Sequence, residues 1–328
     1  MLIRKLWVQA SVVGLWAVGG FITSAHAEFP DRPVQMIVPV PTGGGTDSMA
    51  RQVAKMLSQL WGQPVVVDNK AGAAGIIGAQ AVMKMPPDGY TLLMSHDGVI
   101  TATSLLFKRP DFDPIKQLAP ISQLASLPHV VSVNPNVPAK NIQELVSLMR
   151  SKAEKKESFG FATSALGSAD HLAGEQFKQS LGLQMLVVPY KSTVPAMTDV
   201  VAGHVPFGFF AISAALPMVK NGNLRPIAIT SAKRSKLLPQ VPTVSETIPG
   251  FETYSWFGLW APAGTPAKIT EKISADIKQI FATPEMNAFL ASNGFDLAIS
   301  TPTEFAEFIR KEAAKTAGLI QFANIKIE

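Results

Sequence analysis

Two short stretches of this chain concentrate groups able to hold an anion. Thr42-Gly43-Gly44-Gly45-Thr46 follows the β-branched run Val34 to Val40 and precedes a segment with helical spacing. Thr163-Ser164, with Gly167-Ser168, repeats the plan: Val38 to Asp47 and Phe161 to Asp170 each read as strand end, loop of Gly, Thr and Ser, then helix start. A helix start leaves backbone N–H groups unpaired and carries partial positive charge. Glycine lets a ligand approach those groups because no Cβ intervenes. Both loops therefore fit an anion nest, and each alone also fits an ordinary strand-to-helix turn. No lysine follows Gly45, which excludes a nucleotide P-loop. Asp47 would repel an anion, and Arg51, four residues on, is placed to neutralise it.

Other chemistries find little support. Gly167 to His171 contains Ser, Asp and His, but adjacency does not make a triad, and the G-x-S-x-G turn is absent. Ser168 is expected to cap a helix and His171 to order it. His96, His129, His171 and His204 lack metal-ligand spacing and the chain has no cysteine, so no metal, cofactor or catalytic group is expected. Ser95, Asp97 and Thr101 follow a strand ending at Met94 and fit either a cleft wall or a polar loop. Tyr190 and Lys191 close another strand. Ser213 either caps a helix or meets a distal ligand group, while His129, Trp256 and Trp260 are expected in packed positions.

Strand-like and helix-like segments alternate through the chain, which argues for an α/β fold with largely parallel strands. The first series is Val34 to Val40, a helix carrying Met49, Val53, Met56, Leu57 and Leu60 on one stripe, Pro64 to Val67, and Tyr90 to Met94. The second comprises His129 to Val133, a helix capped by Asn141, Phe159 to Ala162, a helix through Leu181, Met185 to Val188, Val205 to Phe210 and Leu224 to Ile229. Thr265-Pro266, Thr283-Pro284 and Thr301-Pro302 each place a cap residue before proline at a helix start, with Glu304 completing a capping box on Thr301.

Arg4 and Lys5, the apolar run Leu6 to Ile22 and Ala25-His26-Ala27 read as a secretory leader, with cleavage predicted after Ala27 and a periplasmic destination. Removing Arg4 and Lys5 lowers the formal charge from +5 to +3, a mild excess that favours anionic small ligands. Lysines and arginines are scattered apart from Lys152 to Lys156, and no nucleic-acid-reading motif accompanies them, so no nucleic-acid partner is expected.

Taken in order, these blocks resemble the substrate-binding receptors of tripartite tricarboxylate transporters, the Bug receptors. The resemblance is carried by Pro39 to Asp47 with Ala50-Arg51, Val67 to Gly72, Pro86 to Leu93, Gly167 to Leu172 with Glu175, and Val188 to Lys191. Pro195-Ala196, Asp199, Gly203, Lys233 to Ser235, Leu238 to Thr243, and Trp256 with Ala261 to Pro266 complete it. It implies a two-lobed periplasmic-binding-protein fold of type II character, with mixed sheets flanked by helices. Residues 28–125 and 232–328 would form lobe 1 and residues 126–231 lobe 2. It further implies that Thr42 to Thr46 and Thr163 to Ser168 pinch one ligand carboxylate, and that a monomeric receptor delivers its ligand to a membrane permease. Presentation to a sensor kinase is the alternative, and an exported hydrolase a weaker one. Ser192 stands where the family often has glycine, and His204 to Ala211 lacks its acids, which weakens an amino-acid ligand. Phe209 or Phe210 could then pack on an aromatic acid. Gly44→Asp and Gly167→Asp are each expected to abolish binding with the fold intact.

Overall fold

The computed structural model describes residues 29–107 and 109–325. The leader expected at 1–27 lies outside them. In chain order the elements are β1 (Val34–Val38), α1 (Gly45–Trp61), β2 (Val65–Asn69), α2 (Ile76–Met83), β3 (Thr91–His96), α3 (Thr103–Leu106) and α4 (Pro114–Gln117). Next come β4 (Leu118–Val133), α5 (Ile142–Glu154), β5 (Gly160–Thr163), α6 (Ala169–Leu181), β6 (Leu186–Pro189), α7 (Thr193–Ala202), β7 (Phe207–Ala211), α8 (Ile212–Lys220) and β8 (Arg225–Ile229). The chain finishes with β9 (Tyr254–Pro262), α9 (Ala267–Phe281), α10 (Pro284–Asn293), β10 (Asp296–Leu297) and α11 (Pro302–Ala323).

The strands join in the order β2-β1-β3-β9-β4-β7-β5-β6, with β8 and β10 also paired to β4. β4 passes through both lobes. Its first part pairs with β9 from Leu118 to Pro128, and its last residues pair with β7 and β8. β1, β2 and β3 are mutually parallel, as are β5, β6 and β7. β9 and β4 run antiparallel to their neighbours, so the sheet is mixed. β1 and β5 thus run in opposite senses on either side of the middle of β4. The C-terminal ends of both lobes' strands point at one gap, where ligands bind in open α/β sheets. His96 is level with Ala125 through Phe257, and Ala162 with Ser132 through Gly208. At ~3.3 Å per residue that leaves about 20 Å along β4 for the intervening loops.

Three apolar clusters hold this arrangement. One runs through both lobes and includes Val38, Met49, Leu57, Met94, Val130, Phe210 and Ile212. A second fills the remaining face of lobe 2 around Phe161, Phe177, Phe207 and Phe209. A third, in lobe 1, packs Ile37, Leu93, Trp256, Trp260 and Phe305. Alternation explains the division: Phe207 and Phe209 enter one cluster and Phe210 the other. Met49, Val53, Met56 and Leu57 are buried along α1, while Leu60 is partly exposed, and Gly62 ends the helix in the left-handed region at φ 63°.

Several local expectations need correction. The strand read from His129 begins at Leu118. Pro120 and Pro128 argue against a long strand, yet Pro120 sits beside a register shift and Pro128 at the passage between lobes, where a missing donor is tolerated. Val244, Ile248 and Phe251, grouped above with lobe 1, pack into the lobe 2 cluster. The return to lobe 1 comes with β9, after Thr253 N donates to Thr230 O. Thr265 caps nothing: Pro266 is the cap residue of α9, and the Thr265 hydroxyl donates to Pro262 O. Thr283 and Thr301 do cap α10 and α11, and Glu304 completes the box.

Candidate functional site

The loop after β1 is built by one inward-turned carboxylate. Asp47 Oδ2 accepts from Gly43 N at 3.0 Å and from Arg51 Nε at 3.0 Å, and its Oδ1 accepts from Asn69 Nδ2 at 2.9 Å. Asn69 also donates to Val40 O. Burial pushes the Asp47 carboxyl up, but the bonds from Arg51, Gly43 and Asn69 outweigh it and hold the group below the usual carboxylate range. Asp47 is therefore a fastener for the loop, and the repulsion expected of it is spent on Arg51. Thr42, Gly43, Gly44 and Gly45 remain exposed, with Thr46 buried behind them. Gly43 needs its φ of +93°, and space is open around both Gly43 and Gly44. The first intrahelical bond of α1 runs from Ser48 N to Gly44 O, which leaves the amides of Gly45, Thr46 and Asp47 at the helix mouth.

The loop after β5 is fastened the same way. Asp170 accepts from Ser164 N at 2.5 Å, Ser164 Oγ at 2.8 Å and Thr163 Oγ1 at 3.0 Å. Gly167 N donates to His171 Nδ1 at 2.8 Å, so the imidazole is an acceptor there and orders the loop. His171 Nε2 lies 3.6 Å from Glu175 Oε1, which also takes Lys178 Nζ at 2.8 Å. Burial raises Glu175, but these two partners hold its carboxyl below the usual range. Ser168 occupies the cap position of α6 without capping it; its hydroxyl donates to Ala165 O. Leu172 N to Ser168 O is the first intrahelical bond, so the amides of Ala169, Asp170 and His171 are left at this helix mouth. Gly167 has φ +79°, and a Cβ there would lie 2.1 Å from Leu106 Cδ1 of lobe 1. The expected intact fold of Gly167→Asp is therefore corrected: the left-handed backbone strains any side chain there, and the tip of Leu106 would have to move.

The remaining predicted residues divide. Ser95 is fully buried, and its hydroxyl has no partner among the described residues. Thr101 lies in a π-helical turn, Gly98–Ala102, with its hydroxyl donating to Asp97 O and accepting from Thr316 Oγ1. The Tyr190 hydroxyl donates to Asp199 Oδ2 at 2.6 Å; burial and the Asp199 charge push it up to about 12. Ser213 is the exposed residue of the first turn of α8, between buried Ile212 and Ala215, and the cap residue is Ala211. Phe209 and Phe210 do not reach the gap. Phe209 packs edge-on to Phe161 and Phe177, and Phe210 joins the cluster shared by both lobes. Both are about 1% exposed or less, because a strand covered on both faces buries alternate side chains in opposite directions. Beside the two loops the structure also places Leu106, Phe257 and, paired with Phe257 on β3, His96, none of which the sequence singled out as a binding residue. Only His96 left a signal, since Leu92, Met94 and His96 share one face of β3.

Comparison with known proteins agrees with this architecture. The family described as tripartite tricarboxylate transporter family receptor matches residues 49–325. Protein BugT of Bordetella pertussis is 36% identical over 97% of this chain and 98% of its own length. Among solved structures, an R. palustris protein with adipate superposes with TM-score 0.79 at 32% identity, covering 91% of this chain and 99% of that one. MatC from Rhodopseudomonas palustris with bound malate gives TM-score 0.74 at 28% identity, covering 89% and 100%. By sequence and by fold, the chain belongs to the tripartite tricarboxylate transporter receptor family.

Proposed function

We propose that this protein is a periplasmic receptor that closes its two lobes on the carboxylate of a small organic acid and hands it to the permease of a tripartite transporter. The observation that carries this reading is the pair of helix mouths at the C-terminal strand ends of opposite lobes. Each approaching loop is fastened by its own aspartate, so the free amides are preorganised. The amides of Gly45, Thr46 and Asp47 and those of Ala169, Asp170 and His171 then supply the donors, while Thr163, Ser164, Gly167 and Ser168 hold the second loop in shape. Ser95 and Thr101 are buried and the Tyr190 hydroxyl is taken by Asp199, so these three are not direct donors. A hydrogen bond to a charged group contributes ~1.5–3 kcal/mol, so four reach the ~8 kcal/mol of a micromolar complex before ordering costs. Adipate and malate in related structures support a carboxylate ligand. With Phe209 and Phe210 taken up by packing, the case for an aromatic acid lapses.

A thermal-shift panel of aliphatic carboxylic acids tests the reading, because a ligand that binds only the folded state raises the melting temperature. Gly44→Asp is the matched control. Gly44 has φ −86° and open space around it, so the variant folds while its carboxylate occupies the anion site. The expected result is a shift with at least one acid in the parent and none in the variant. Equal shifts in both, or no shift with any acid, would refute the assignment.

A further inference from the structure

His96 lies beside the first loop, and nothing above gives it a role. It ends β3 on the face that carries Leu92 and Met94, and its side chain is 30% exposed. Its direct partner on β9 is Phe257. Directly opposed residues share a face with Cβ atoms ~5 Å apart. Phe257 Cζ in turn stands 3.6 Å from where a Cβ on Gly45 would lie. Glycine loop, phenyl ring and imidazole are therefore consecutive neighbours along one wall of the gap.

The ring is also pinned. Gly98 N donates to His96 Nδ1 at 3.2 Å, which makes Nδ1 the acceptor and leaves Nε2 as the N–H donor, with Asp97 Oδ1 3.7 Å from Nδ1, on that nitrogen's side of the ring. A Cβ at Gly98 would sit 3.0 Å from Cε1, so the imidazole rests against bare backbone. We propose that His96 is a specificity-determining residue, whose Nε2–H receives the second carboxylate of a dicarboxylate held at its first by the paired loops. The inference rests on the carboxylate reading above. A donor at this position suits an oxyanion and disfavours an ammonium group, which would meet N–H with N–H. It thus selects diacids over both amino acids and monoacids.

Calorimetry with matched pairs of equal carbon count tests this: succinate with butyrate, glutarate with pentanoate, adipate with hexanoate. The parent protein should bind the diacid of at least one pair about 10- to 100-fold more tightly. His96→Phe should bring that diacid down to the level of its monoacid and leave the monoacid unchanged. His96→Gln, whose Nε2 also donates, should keep most of the difference. Thermal melts of both variants report on folding. Gly44→Asp should lose both members of every pair, which separates failure of the loops from failure of His96. A diacid preference that survives in His96→Phe, or a parent that shows none, overturns the proposal. A parent that binds no acid overturns it together with the carboxylate reading.

Discussion

Asp47 and Asp170 each place a carboxylate beside a helix mouth that we propose receives another. The conflict is resolved by direction: both side chains turn into the loop and accept from its own amides, Gly43 N and Ser164 N. Each carboxylate orders the turn it might have blocked. For Asp47 the folded pKa lies below the ordinary 3.8, so its contribution is complete above that value and lost as pH falls through the folded one. Asp47→Asn should lower the melting temperature at neutral pH and flatten its decline between about pH 5 and pH 3. A decline of the same slope in both proteins would remove Asp47 as the group responsible.

At the scale of elements, the two loops differ in tolerance. Gly43 and Gly44 stand in open space, whereas Gly167 is pressed against Leu106 at the end of α3. Gly167→Ala combines a left-handed backbone with a crowded Cβ and should cost about 1–3 kcal/mol in urea unfolding. Leu106→Ala in the same chain should return part of that loss, since the nearest atom is the tip of a side chain. Strict additivity of the two substitutions would show that they do not meet. The repeated plan of the two loops was legible in sequence because strand end, small polar loop and helix start are local features. The contact with Leu106 was not, because it joins residues 61 positions apart through tertiary packing.

The whole molecule turns on β4, whose middle carries the chain from one lobe to the other. His129 sits there, 3% exposed, with Nδ1 unpaired among the described residues and its backbone N–H bonded to Thr230 Oγ1. Burial pushes its imidazole below the ordinary 6.5, against the opposing pull of the Asp170 and Asp97 charges. The folded protein then takes up this proton less readily than the unfolded chain, so stability falls as pH drops below about 6.5. The urea midpoint should decline between about pH 7 and pH 5, and decline less in His129→Gln. Parallel profiles would exclude this histidine.

Local sequence was enough for the class of fold, most element positions and both glycine-bearing loops, because periodicity, caps and turn residues act within a few positions. The expected strand at His129 came out short, since two prolines mask a strand whose bulge and lobe crossing accommodate them. Phe209 and Phe210 were assigned to the ligand on chemistry alone; which face of β7 meets core is set by helices packed from elsewhere in the chain. The opposed directions of β1 and β5, and hence the shared gap, exist only because β9 and β4 enter the sheet antiparallel. That pairing is long-range, and no local pattern encodes it.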